Sequence, residues 1–286
     1  MAKLTRSSYV KIALIIALGL LLFAVAGFGS MRGCSSQGIY LGGGTEMGNA
    51  SVDAKSVKNL SVSWAAGSVD VSVVDDASGD TIELVETAAT GMTRAQQMRW
   101  SVSGDTLKVD YGSWWSCFML GQKRLEVRIP ERYAKSLGNV TVDGASGYYR
   151  VSGIGCDALN LKLASGEIDA DDLAAASLSV DVASGQARVE GSFSNRVSTK
   201  TASGQLDVVC LGTAPKQVDA DLASGQASVA LPEGTGFSAK VDKASGGFSS
   251  AFETTQQGGS YVHGDGATSV SVHIASGQFS LGKSRG

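Results

Sequence analysis

Between residues 145 and 277 the tripeptide Ala-Ser-Gly keeps returning, with its glycines at Gly147, Gly166, Gly185, Gly204, Gly225, Gly246 and Gly277. The spacing is 19 to 21 residues, with one longer interval before the last copy. A fixed period of that length marks stacked copies of one small unit, none of which can bury its apolar face alone. Apolar residues in strict alternation precede the tripeptides, as in Leu159, Leu161, Leu163 and in Val270, Val272, Ile274. Alternation resumes after the glycine, as in Ile168 and Ala170 or Phe279 and Leu281. Period two is the signature of a strand, so each unit reads as strand, tight corner, strand. Glycine supplies the backbone freedom of the corner, and small Ala and Ser let successive corners lie close together. A degenerate copy, Leu60, Val62, Trp64, then Ala65-Ala66-Gly67, then Val69 and Val71, starts the array near residue 58. Ala77-Ser78-Gly79 follows Asp75-Asp76 without the alternation and reads as a hairpin turn instead.

The outward positions say how the units stack. Two residues before each Ala the series runs Asp143, Lys162, Asp181, Lys200, Asp221, Asp242, His273. Three residues after each glycine it runs Arg150, Asp169, Arg188, Asp207, Ser228, Ser249, Ser280. Signs alternate over most of both series. Parallel repeats in register would place them in columns about 4.8 Å apart, where opposite charges help and like charges cost. Gln186, Gln205, Gln226 and Gln278 would share a further column able to form an amide ladder. The expected fold is therefore all-β, a parallel β-solenoid of about 20 residues per coil. An antiparallel β-sandwich is the alternative; it would scatter the columns.

Composition sets the setting. The chain has 37 Gly and 3 Pro in 286 residues yet is 43% hydrophobic, rich in turns but too apolar for disorder. Lys3, Arg6, Lys11 and Arg32 precede any acid, so the rest carries 27 acids against 20 bases. That excludes the basic footprint of a nucleic-acid binder. Ile12 to Met31 contains no charge, and its apolar run of 17 residues reaches the lower limit for a bilayer-spanning helix. The flanking cations place the N-terminus in the cytoplasm and the repeats outside. Retention as a signal anchor, cleavage after Ala24-Val25-Ala26 and lipidation at Cys34 are the three processing outcomes. The organisation read from this is a cytoplasmic N-terminus at 1–11, a transmembrane signal anchor at 12–31, a Gly-rich flexible linker at 32–57 and the β-repeat domain at 58–283.

Chemistry-bearing constellations are scarce. His263 and His273 are the two histidines, the latter in a charge column. Asp169, Asp171 and Asp172 cluster as glycan-cleaving carboxylates do, but alternation and opposite-sign neighbours account for them as a solvated ladder. No spacing among the cysteines suits a metal or a redox motif. Cys117 with Cys156 remains a candidate disulfide; Cys156 with Cys210, about three rungs apart, does not. Two features suit binding. Trp114 and Trp115 lie in an apolar stretch that either caps the core or offers a sugar- or partner-binding patch. Tyr261 lies in a long turn from Glu253 to Thr268, and such insertions often sit on the binding face of a repeat array.

The opening Leu60-Ser61-Val62-Ser63-Trp64-Ala65-Ala66-Gly67-Ser68-Val69-Asp70-Val71, the segment Leu125-Glu126-Val127-Arg128-Ile129-Pro130 and the repeated Ala-Ser-Gly corners resemble the putative-adhesin family of bacterial envelope proteins. This is a family whose domain has no assigned function. The resemblance spans residues 58 to 283. It implies a solenoid-like ectodomain on a short membrane anchor, a cell-surface or envelope-stress role, and no catalytic residues to carry over. The expectation is a non-enzymatic membrane-anchored surface protein that adheres to an envelope, cell-wall or surface ligand, with neither cofactor nor metal. The alternative is an extracytoplasmic envelope-stress sensor working with a membrane partner.

Overall fold

The structure is a computed structural model that describes residues 46–75, 79–112 and 123–285. Those residues form two compact units that divide between Ala175 and Ala176. The apolar segment 12–31, Trp114, Trp115, Cys34 and Cys117 lie outside the described residues. Among the described residues no helix is long and apolar enough to cross a membrane.

In the N-terminal unit, β1 (Glu46–Met47), β2 (Ala50–Asp53), β3 (Asn59–Trp64), β4 (Gly67–Val74), β5 (Thr81–Ala88), β6 (Arg99–Ser103), β7 (Thr106–Asp110) and β8 (Lys123–Pro130) come first. A one-turn helix, α1 (Glu131–Ala134), then leads to β9 (Leu137–Ser152) and to β10 (Gly155–Thr201), which crosses into the next unit. β9 and β10 each run through an Ala-Ser-Gly corner, and together they pair in parallel over their whole common length, Leu159 on Val140 and Gly166 on Gly147. β3 and β4 form the same kind of rung and pair in parallel with β9. On their other edge lies an outermost rung made of β7 and β8, also parallel. Antiparallel strands finish this end: β6 on β7, β1 on β6, β5 on β8 and β2 on β5.

In the C-terminal unit the later part of β10 pairs in parallel with β11 (Gln205–Cys210) and β12 (Gln217–Leu222). β11 pairs with β13 (Gln226–Pro232). The remaining strands are β14 (Phe237–Ser250), β15 (Thr255–Gln257), β16 (Ser260–His263) and β17 (Thr268–Ser284). β17, the last repeat in the chain, pairs with β12 and β13 on one edge and with β14 on the other.

The period-two pattern builds both units in the same way. Inward residues stack in register as closed columns: Val62, Val142 and Leu161 in one unit, Val208, Val229 and Leu281 in the other, all 0–1% exposed. Each such side chain gains roughly 1.5–3 kcal/mol by leaving water. Neighbouring repeats thus supply one another's core.

Three expectations need correction. Repeats do not stack in chain order at the ends, because the first (β3–β4) and the last (β17) both lie inside their stacks rather than at the edge. A β-rung is the same template on either edge, so sequence alone leaves its neighbour open. The strands flanking Ala77-Ser78-Gly79 do not pair as a hairpin: β4 has both edges taken by β8 and β9, and β5 runs instead beside β8 and β2. The segment 253–268 is no open loop either, for β15 and β16 form a hairpin that pairs antiparallel with β14. The ladders between repeats are parallel, as the solenoid requires and the sandwich alternative does not.

Candidate functional site

The corner glycines make a column of backbone on backbone. Gly147 has φ +130° and Gly166 has φ +123°. A Cβ on Gly147 would sit inside the carbonyl oxygen of Gly67, and one on Gly166 inside that of Gly147. At Gly277 the backbone is ordinary, yet a Cβ would still come 2.6 Å from the Gly225 oxygen. That oxygen accepts from the Gln278 N–H at 2.9 Å, so the close approach is the price of the ladder itself. The same contacts link Gly204 to Gly185, Gly225 to Gly204 and Gly246 to Gly277.

Lys123 holds the glycine position in the outermost rung of the N-terminal unit, in register with Gly67. Its side chain turns inward and is fully buried. There Nζ meets the Glu86 carboxylate at 2.5 Å and donates to the backbone oxygens of Gln96, at 3.0 Å, and Tyr111. It also lies over the rings of Tyr111 and Trp64, at 3.9 and 5.0 Å from their centroids. The other Glu86 oxygen accepts from the Met98 N–H at 2.8 Å. Both charges are thus compensated within the core. The signal was in the sequence, since Ile82, Leu84, Glu86 and Lys123, Leu125, Val127 each put an opposite charge into an inward frame.

Beside this column lies an open cleft of about 440 Å³, lined by Gly67, Ser68, Thr87, Ala88, Arg124 and Tyr148 among others. Glycine backbone forms part of its lining, and the end of β5 stands over it. Tyr148 is 39% exposed, one of two large apolar side chains so exposed among the described residues. Its hydroxyl donates to Asp169 Oδ2 at 3.4 Å. Partial burial and the Asp169 charge push the phenol upward, which keeps it a proton donor. Arg124 is held from one side by Glu126, at 2.9 Å from Nε, with Asp70 at 3.8 Å. The Ser68 and Thr87 hydroxyls make no hydrogen bond among the described residues.

The first position after the corner is glutamine in four of the five rungs of the C-terminal unit, where Gln186, Gln205, Gln226 and Gln278 stack in register and Gly247 stands beside Gln278. Gln205 bonds to Asp207 at 3.0 Å rather than to a neighbouring amide, so stacking there does not yield the expected amide ladder. In the N-terminal unit the same column reads Arg124, Ser68, Tyr148, Glu167. The repeat is satisfied by glutamine; these four residues depart from it, and three of them line the cleft. Counting one place past Gly67, Gly147 and Gly166 finds Ser68, Tyr148 and Glu167, whereas Arg124 follows Lys123 and carries no such signal.

The other chemistry-bearing residues have structural neighbours. Tyr261 is half-buried in β16 with its ring 5.0 Å from that of Phe248. His263 packs against Phe237 and Phe252, and its Nδ1 lies 2.7 Å from the Glu253 carbonyl. His273 Nδ1 lies 3.7 Å from Asp242. Asp171 meets Arg150 at 3.4 Å and Asp172 meets Lys135 at 3.8 Å. Cys156 and Cys210 are free thiols, both pushed up to about 12 by burial, with the Asp157 charge adding to the effect at Cys156. Among the described residues no group of His, Cys, Asp and Glu is arranged to hold a metal ion.

The family model described as Toastrack DUF4097 matches residues 57–282. No curated protein matches the chain. Among solved structures, a putative cell adhesion protein from Clostridium sporogenes is 12% identical, with 85% of this chain and 100% of that one covered at a TM-score of 0.37. A putative adhesin from Bacteroides fragilis is also 12% identical, covering 82% of this chain and 97% of its own at a TM-score of 0.37.

Proposed function

We propose that this chain, which belongs to the Toastrack DUF4097 family, is a non-enzymatic surface protein that holds its repeat domain outside the cell on an N-terminal membrane anchor and adheres to an envelope or surface ligand. The observation that carries the reading is the division of labour along each rung. Inward positions are spent on the core, while outward positions repeat as polar columns at the strand spacing, a surface suited to many weak contacts. The cationic start followed by the uncharged 12–31 supplies the anchor and its orientation. Engagement of His263, His273, Asp169, Asp171 and Asp172 with structural neighbours supports a binding role over a catalytic one.

Protease added to intact cells, stripped of any covering wall, should remove a C-terminal epitope tag while a cytoplasmic control survives. Survival of the tag until lysis would contradict the orientation.

A further inference from the structure

We infer that the cleft beside Tyr148 is a subsite for an uncharged pyranose unit of a polysaccharide, with the sugar ring lying on the Tyr148 face. The inference rests on the adhesion reading above and names its ligand class.

Three independent observations meet there. A cleft of about 440 Å³ falls within the range of small-ligand sites and opens to solvent. Tyr148 offers an exposed ring whose hydroxyl donates to Asp169 at 3.4 Å, a long bond that biases the ring's orientation. Its column carries Arg124, Ser68, Tyr148 and Glu167 where four of the five C-terminal rungs carry glutamine.

The class of ligand follows from the surrounding groups. One face of a pyranose presents C–H bonds of slight positive character, which suit the electron-rich face of an aromatic ring. Its rim presents hydroxyls that both donate and accept. Of the lining groups, Arg124 donates, and the Ser68 and Thr87 hydroxyls do either. Charge then separates neutral from acidic sugars. Next to the Arg124–Ser68–Tyr148–Glu167 column runs a second one in register, Glu126, Asp70, Arg150, Asp169. Lys123 in the lining is already neutralised by Glu86, and the two flanking columns together hold two arginines against four carboxylates, so a polyanion meets net repulsion and a neutral sugar does not.

The test uses the full-length chain purified in a sugar-free detergent, since glycosidic detergents would compete. Calorimetric titration compares N,N′,N″,N‴-tetraacetylchitotetraose and cellotetraose with tetragalacturonate. At least one neutral tetramer should bind saturably, and tetragalacturonate should bind at least about tenfold more weakly, a difference of about 1.4 kcal/mol. Tyr148→Ala should weaken the neutral ligand about tenfold and Arg124→Gln about threefold, while Tyr148→Phe stays within about threefold and Gln226→Ala is unchanged. No saturable binding of either neutral tetramer, stronger binding of the acidic one, or wild-type affinity in folded Tyr148→Ala would overturn the inference. Because the titration is independent of where the protein sits, its failure leaves the protease result standing. Failure of the topology likewise leaves the affinity standing.

Discussion

At Gly147 one methyl group decides whether two rungs can touch. Its φ of +130° disfavours any side chain, and the Gly67 carbonyl already occupies the place a Cβ would take. Gly147→Ala should therefore cost at least about 3 kcal/mol in chemical denaturation, strain and overpacking together. Gly234→Ala is the control, since nothing lies within 4 Å of a Cβ there and the backbone is not left-handed; it should change stability by less than about 0.5 kcal/mol. Equal costs at the two sites would mean that the corners do not stack as described. This much was legible in the sequence, because seven spaced Ala-Ser-Gly copies have no other economical reading. Lys123 and Glu86 were not read, although the alternation placed both inward. The eye passes over a buried charge unless the opposite charge is sought in another strand, and nothing local in residues 81–88 says that this strand lies beside 123–130.

At the scale of the strand, the insertion of β17 resolves what the sequence left inconsistent. In chain order the column before the corner runs Asp221, Asp242, His273, with two like charges adjacent. In space His273 stands between them, in register with Asp221 on one side and Asp242 on the other, and Asp221 is beside Lys200. The broken alternation was thus the one sequence clue to the true order. Where repeats adjacent in the chain are not adjacent in space, the alternation read in chain order breaks. His273→Asp should place three carboxylates in adjacent rungs and cost roughly 1 kcal/mol, whereas His273→Lys should hold or raise stability by a few tenths of a kcal/mol. Adding Asp242→Asn to His273→Asp should recover part of the loss. Strict additivity in that double-mutant cycle would speak against contact between the two rungs. The same strand-level view accounts for Lys243, which stands in register with Ile274 at a position that is apolar in most other rungs. A charge there blunts the outer edge of β14 against pairing with another sheet.

At the scale of the whole chain, both ends of the repeat array use one device. The first repeat lies between β7–β8 and β9, and the last between β12–β13 and β14. A terminal strand paired on both edges frays far less than one left at the margin, because opening it breaks two ladders. Antiparallel strands then close each end, β5 and β6 in one unit and the β15–β16 hairpin in the other. Of this arrangement the period, the faces and the register were legible, since they follow from local alternation. The exchange of neighbours was not, because it depends on which of two equivalent edges a late repeat takes.

Engineered disulfides in the C-terminal unit test that exchange directly. Cys34 and Cys117 are first replaced by serine; Cys156 and Cys210, pushed up to about 12, stay largely unreactive at pH 8. Ser228 and Ser280 are register partners on adjacent strands, as are Ser280 and Ser249. Ser228 and Ser249 lie two rungs apart, about 9.6 Å at the strand spacing and beyond the reach of a disulfide. Under mild oxidation Ser228→Cys with Ser280→Cys should crosslink readily, and Ser228→Cys with Ser249→Cys should not. The opposite pattern, 228 joined to 249 and not to 280, would show the repeats stacked in chain order and contradict the account.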